Sequence, residues 1–263
     1  MEAALFAELK LWLVALLYAT ARIQLALIII PLFSKQLMPG LIRTAIGVSL
    51  SLVLMPPLHA PLAGSMPDTL TMALTVLKEA VIGALIGYAV SILFWAIEAV
   101  GFFIDNQRGA SIASTLDPLT GHDSSPLGLM FSQAFIVYFL VAGGMPLFLG
   151  LVYKSYAAWP VTSFFPKFGP EGITIFAGFF VNLLLLALLL SAPVIVAMLL
   201  AELGLALVSR FTPQLQVFFL AMPIKSGLAF FVLVVYLPTM LEYIRDELGR
   251  MPALMELLGQ ALR

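Results

Sequence analysis

The sequence contains no cysteine, and two stretches of 30 residues, Ser124–Tyr153 and Gly172–Ala201, contain no Lys, Arg, Asp or Glu. The first absence excludes disulfides and thiolate metal sites and says nothing of redox compartment. Charged residues make up only 10% of the chain, with 13 basic against 14 acidic and a formal charge of −1. No basic surface therefore recommends nucleic acid as a partner. The two histidines, His59 and His122, lie outside the longest apolar cores and read as ordinary loop residues rather than metal ligands. No HExxH, CxxC or GxSxG occurs, nor a P-loop or a dinucleotide fingerprint. Nothing in these patterns asks for an enzyme, a cofactor or a metal.

What is there is apolar. The chain is 62% hydrophobic, against about 45–50% for a soluble domain, and its mean hydropathy is +1.09. About 20 apolar residues cross a bilayer as a helix, so each uncharged stretch suffices. The fold class expected is an all-α, polytopic integral membrane protein with about six long, partly broken hydrophobic helices and a short amphipathic C-terminal tail. A single membrane domain over 1–263 is the economical reading, since no polar segment is long enough to fold separately. The acidic start and the apolar run from Leu11 to Phe33, interrupted by Arg22 and Gln24, argue for a retained first span rather than a cleaved signal.

The six segments follow from the apolar runs and their breakers. The first covers 8–34, with Pro31 weakening its last turn, and the second runs 41–55 before MPPLHAP ends it. Pro56 to Pro67 reads as a connection. The third begins after Asp68, a candidate N-cap, and continues to about Phe103; a shorter span over 80–100 flanked by a surface helix is the alternative. The fourth runs 126–157, the fifth 172–204 and the sixth 213–237. Residues 239–263 read as a cytoplasmic amphipathic tail with Ile244, Leu248, Met251, Leu254, Leu258 and Leu262 sharing much of one side. Loop cations favour cytoplasmic termini, counting Lys10, Lys78, Lys154, Lys167, Arg245, Arg250 and Arg263 against Lys35, Arg43, Arg108 and Arg210.

Several residues interrupt this pattern. Gly83 and Gly87 form a GxxxG spacing, and Gly143-Gly144 followed by Pro146 interrupts the fourth segment, which reads as close helix packing or as a discontinuous helix. Arg22, Glu98, Glu202, Arg210 and Lys225 are charges inside or beside apolar runs, where a charge costs about 2.5–3.5 kcal/mol on insertion scales and faces protein, water or the interface. Lys225 has long uncharged flanks, so it is either an enclosed cation or a helix-end lysine placed by a break at Pro223. The segment 101–128 is the longest polar departure. Its Asp117, His122 and Asp123 suggest a metal or hydrolytic site less well than they suggest turns and helix caps.

The residues Gly101-Phe102-Phe103-Ile104-Asp105-Asn106-Gln107-Arg108-Gly109, Leu116-Asp117-Pro118-Leu119-Thr120-Gly121 and Ser125-Pro126-Leu127-Gly128 form one distinctive block. Ser209-Arg210-Phe211-Thr212-Pro213-Gln214-Leu215-Gln216-Val217-Phe218, continuing through Met222-Pro223-Ile224-Lys225, forms another. With them the chain resembles the export-apparatus protein family of type III secretion systems, called SctT, YscT, HrcT or SpaR in injectisomes and FliR in flagella. The DNQRG and DPLTG wording looks more like the virulence or symbiosis branch. The resemblance implies a multi-pass protein of the bacterial inner membrane, present as one copy in the export gate of the basal body. Its implied partners are the larger and smaller of the small gate subunits, the switch protein with its autoprotease domain, the ring-forming export protein and the ATPase, with unfolded secreted proteins as substrates.

The function expected is therefore to help build and gate a conduit for unfolded proteins, without bond chemistry. Asp105, Asn106, Gln107, Arg108, Gly109, Asp117, Pro118 and Gly121 are the candidates for shaping or closing the pore. Arg210, Pro213, Gln214, Pro223 and Lys225 are the candidates for positioning the last helical hairpin against neighbouring subunits, with plain packing and capping as the alternative. The rival function is a small-molecule secondary transporter, which broken helices and enclosed charge also suit. No correspondence between the two halves of the chain supports it.

Overall fold

Long apolar runs in a medium without water must satisfy every backbone N–H and C=O within the segment, and helices do so. The computed structural model describes residues 2–62, 68–110, 125–163, 170–211 and 217–261, and every regular element among them is helical. α1 spans Glu2–Ile29 and is followed by a 3₁₀ turn at Pro31–Phe33. Then come α2 (Gly40–Leu52), α3 (Met55–Leu62), α4 (Thr69–Arg108), α5 (Pro126–Val141) and α6 (Gly144–Ala158). α7 (Pro170–Phe211), α8 (Val217–Gly249) and α9 (Met251–Ala261) complete the order. Among the described residues four helices are long and apolar enough to cross a membrane, and up to six spans result if α2–α3 and α5–α6 each form one. That agrees with the six segments expected.

Several boundaries differ from the expectation, and proline explains most of them. The presumed connection after Met55 is helical as far as Leu62, with the helix axis turning by 61° between α2 and α3. Pro56 and Pro57 fall in the first turn of α3, where backbone N–H groups have no partner to lose. His59 is thus a helix residue, stacked on Trp12 at 4.1 Å, and not a loop residue. α8 does not stop near 237 but passes through Pro238 to Gly249, and α7 passes Pro193 and Gly204 to reach Phe211. A proline removes one hydrogen bond from the ladder. Pro193 lies within the uncharged stretch of α7, where the remaining backbone groups have no water to turn to, so the helix continues.

α4 is one helix of 40 residues, which settles the alternatives for the third segment in favour of the long one. At 1.5 Å per residue it is about 60 Å long, roughly twice a hydrocarbon core. Asp68 stands at its N-terminal edge, its carbonyl accepting from Met72 N at 2.8 Å. Lys78, counted among loop cations, is instead buried in the interior of α4. Between α5 and α6 the helix is broken at Gly143, whose φ of 81° is left-handed and open to glycine without the cost other residues bear.

The chain forms two compact units. One comprises Met1–Ile92, Gly143–Phe179 and Arg250–Arg263, the other Leu93–Ala142 and Phe180–Gly249. In the first, α1 buries Val14, Ala15, Tyr18, Ala19, Ile23, Ala26 and Leu27, a helical stripe, and packs against α2 and α3. The GxxxG pair lets α1 approach α4: a Cβ on Gly83 would stand 2.0 Å from the carbonyl oxygen of Arg22. Beyond Gly249 the tail residues Met251 and Leu258 are buried in this unit on α9, whereas Ile244 and Leu248 are buried on α8 in the other.

In the second unit, Phe94 meets Phe135 edge-on at 4.7 Å between ring centroids and Phe139 at 5.0 Å. α7 contributes Ala187, Leu190, Val194 and Met198 to the core. α8 contributes a stripe four residues apart, Ala221, Lys225, Ala229 and Leu233, in which a lysine occupies an apolar register. The opposite faces of α7 and α8 stay exposed and apolar, with Leu185, Leu200, Phe231 and Val234 among the outward residues.

Candidate functional site

The second unit holds a groove of about 480 Å³ lined by Asn106 and Gln107 from the end of α4, by Gly109 just beyond it and by Glu202, Leu205 and Ser209 from α7. Ala221, Met222 and Lys225 of α8 close its other side. It joins residues from both blocks that stand out in the sequence. Lys225 Nζ lies 3.3 Å from Glu202 Oε2, and the Gln107 side-chain amide donates to the same oxygen at 3.5 Å. The Lys225 side chain is 11% exposed and that of Glu202 50%, so the cation is sheltered and the carboxylate faces the opening. Lys225 sits inside α8, two residues past Pro223, and is an enclosed cation rather than a helix-end lysine.

Asp105 and Arg108 do not line the groove. Asp105 is 2% exposed and ties α4 to the start of α5. Its Oδ1 accepts from Arg108 Nε at 2.7 Å, and its Oδ2 accepts from Ser125 Oγ at 2.6 Å and from Leu127 N at 2.9 Å. Ser125 is the N-cap of α5, its Oγ accepting from Gly128 N at 2.8 Å, and Pro126 takes the first helical position. Gly101 and Gly128 are where the two helices touch, since a Cβ on Gly101 would lie 2.4 Å from Gly128 N. One carboxylate thus joins the chain on either side of residues 111–124. Arg108, held by Asp105, also places its guanidinium 5.5 Å from the Phe230 ring centroid.

Of the remaining candidates, Arg210 is exposed in the last turn of α7, where a cation complements the helix dipole. Pro223 is an exposed interior residue of α8. Asp117, Pro118, Gly121, Pro213 and Gln214 lie outside the described residues. Among the described residues no group of three or more His, Cys, Asp or Glu could hold a metal ion.

The charged cluster of Arg22, Lys78 and Glu79 in the first unit is absent from the sequence-based site. Arg22 and Glu79 are fully buried and paired at 2.6 Å. Arg22 stood out as a charge within an apolar run, but its separation of 57 positions from Glu79 hid the pairing.

The family model for bacterial export proteins, family 1, matches residues 13–251. The Yop proteins translocation protein T of Yersinia pestis is 43% identical over 227 residues, 84% of this chain and 85% of that protein. The surface presentation of antigens protein SpaR of Salmonella typhimurium is 32% identical, covering 82% of this chain and 80% of its own. The flagellar biosynthetic protein FliR of Bacillus subtilis is 30% identical, covering 88% and 89%. With long apolar helices, broken spans and enclosed charges in place, this chain belongs to the bacterial export proteins of family 1 and is a multi-pass inner-membrane subunit of the type III secretion export apparatus.

Proposed function

We propose that this subunit helps to form and close the conduit for unfolded secreted proteins, with Asn106, Gln107, Gly109 and the segment 117–121 at the closure, Asp105 and Arg108 shaping it by tying α4 to the start of α5, and Arg210, Pro213, Gln214, Pro223 and Lys225 setting the last helical hairpin against neighbouring subunits. The observation that carries this reading is the groove in which Asn106, Gln107 and Gly109 meet Glu202 and Lys225. A half-exposed carboxylate beside the exposed Leu200 and Leu203 does not face hydrocarbon at rest. It is met by water or by a polar group of another subunit, and either fits a protein conduit. The neighbours under this reading are the larger and smaller gate subunits, with the switch protein and the ring-forming export protein on the cytoplasmic side. The outward apolar faces of α7 and α8 support the presence of further membrane-embedded neighbours or lipid.

The test uses single cysteines at positions 106, 107, 117 and 121 in a chain that has none of its own. In the closed native complex they should be shielded, and they should become reactive or crosslink to substrate when a secreted protein is stalled in transit. Crosslinking that never captures a stalled substrate, with stalling shown independently, would refute the pore-lining role and leave family membership standing. Affinity purification under mild detergent should recover the two other gate subunits with this chain.

A further inference from the structure

The buried cluster of the first unit does more than pair charges. Arg22 Nε donates to Glu79 Oε2 at 2.6 Å, its Nη1 to Ser155 Oγ at 2.9 Å and its Nη2 to the Trp159 carbonyl at 2.9 Å. The guanidinium also lies 3.9 Å from the ring centroid of Tyr156, whose hydroxyl donates to the Ala19 carbonyl at 3.0 Å. Lys78 Nζ donates to the carbonyls of Val161 and Ser163 at 2.8 Å each and of Pro160 at 3.3 Å. It stands 3.0 Å from Glu79 Oε1, off hydrogen-bond geometry.

Two cations, one from α1 and one from α4, therefore meet four carbonyls of the turn that follows α6. Trp159 is the C-cap of α6 and the other three carbonyls lie in the turn beyond it, outside the helix ladder, where carbonyls turned inward need donors. Charge counting separates the roles. Arg22 and Glu79 already balance each other, so packing α1 against α4 requires no second cation. Lys78 adds a positive charge whose oxygen shell is mostly the backbone of this one turn.

We infer that Lys78 is a positioning residue which, with Arg22, fastens the carboxyl end of α6 and the turn 159–163 to α1 and α4. The second half of the broken helix then keeps one place in the assembled apparatus. The inference rests on the cluster's geometry and stands apart from which residues line the conduit.

The test is made in the assembled apparatus in native membranes, with Val161→Cys as the probe. Val161 is 7% exposed, and its carbonyl is one of the three that Lys78 holds. Lys78→Met keeps the balanced Arg22–Glu79 pair and removes the donors. It should leave the amount of assembled complex close to normal, raise the rate of maleimide labelling at position 161 at least tenfold and lower secretion per complex several-fold. Lys78→Arg should restore both. Should the methionine variant fail to assemble, Lys78→Leu, shorter, uncharged and without a donor, gives the same local readout. Unchanged labelling at position 161 in an assembled Lys78→Met or Lys78→Leu complex would overturn the inference. A fall in secretion that only tracks the amount of complex would overturn it equally, since that is what a merely structural residue produces.

Discussion

Replacing Lys225 separates an enclosed, paired cation from a dispensable one. Its Nζ is 3.3 Å from Glu202 Oε2, and its side chain is 11% exposed while that of its partner is 50% exposed. Lys225→Met keeps length and apolar bulk, removes the charge and leaves Glu202 with only the Gln107 amide at 3.5 Å. If the open side of Glu202 is wetted, the loss is that of an ordinary exposed pair, about 0.2–1 kcal/mol. If a neighbouring subunit covers the groove, the carboxylate is left buried and unpaired, and the loss rises to about 3–5 kcal/mol. Since 1.4 kcal/mol is tenfold in an equilibrium constant, the second case removes most of the assembled complex. Lys225→Arg keeps the cation and should cost much less. Blue-native electrophoresis and a secretion assay of both variants read the outcome. Equal, near-normal behaviour of the two would refute a groove covered by a neighbouring subunit, since only the loss of an exposed pair, about 0.2–1 kcal/mol, would then remain.

Other outcomes follow from close approaches and caps. Gly83→Ala places a methyl group against the Arg22 backbone and should cost about 2 kcal/mol, whereas Gly150→Ala, with nothing within 4 Å, should be neutral or stabilising by up to about 1 kcal/mol. Thermal midpoints in detergent compare the two, and equal shifts would reject the contact. Asp105→Ala strands the Leu127 N–H, the Ser125 hydroxyl and the Arg108 guanidinium at a cost of about 2–3 kcal/mol, so amide exchange at Leu127 should quicken more than tenfold. Exchange unchanged from the parent would show that the carboxylate does not hold the start of α5. Gly143→Ala should cost about 1–2 kcal/mol through its left-handed backbone alone, with Gly143→Asn milder, as read by the same thermal midpoints; an alanine without effect would mean the break is not held at that φ.

Much of the architecture was legible in the sequence because hydrophobicity is a local, additive property. Long uncharged runs report the membrane whatever their tertiary partners, and the positions of the six segments follow from them. The cap at Ser125 was equally readable, since it needs only a serine, a proline and the N–H three residues on. Helix ends were less readable. Pro56, Pro57 and Pro238 are breakers in water, but α3 accommodates two of them in its first turn and α8 carries the third in its interior. A proline breaks a helix from its interior and is tolerated in its first turn, so Pro56 and Pro57 begin α3 rather than end a segment.

By itself the sequence determined that the chain is a helical membrane protein, where its apolar segments lie and, through two blocks of residues, to which family it belongs. Only the tertiary structure decided which charges meet. Lys225 finds Glu202 across 23 positions and Arg22 finds Glu79 across 57, and no periodicity links such residues because they sit on different helices. The same holds for the approach of α1 to α4 at Gly83 and of α4 to α5 at Gly101. A missing side chain is visible in sequence, but the backbone that fills its place comes from elsewhere in the chain. Charge pairing in a low-dielectric interior is set by distance in space, and that distance exists only once the helices have packed.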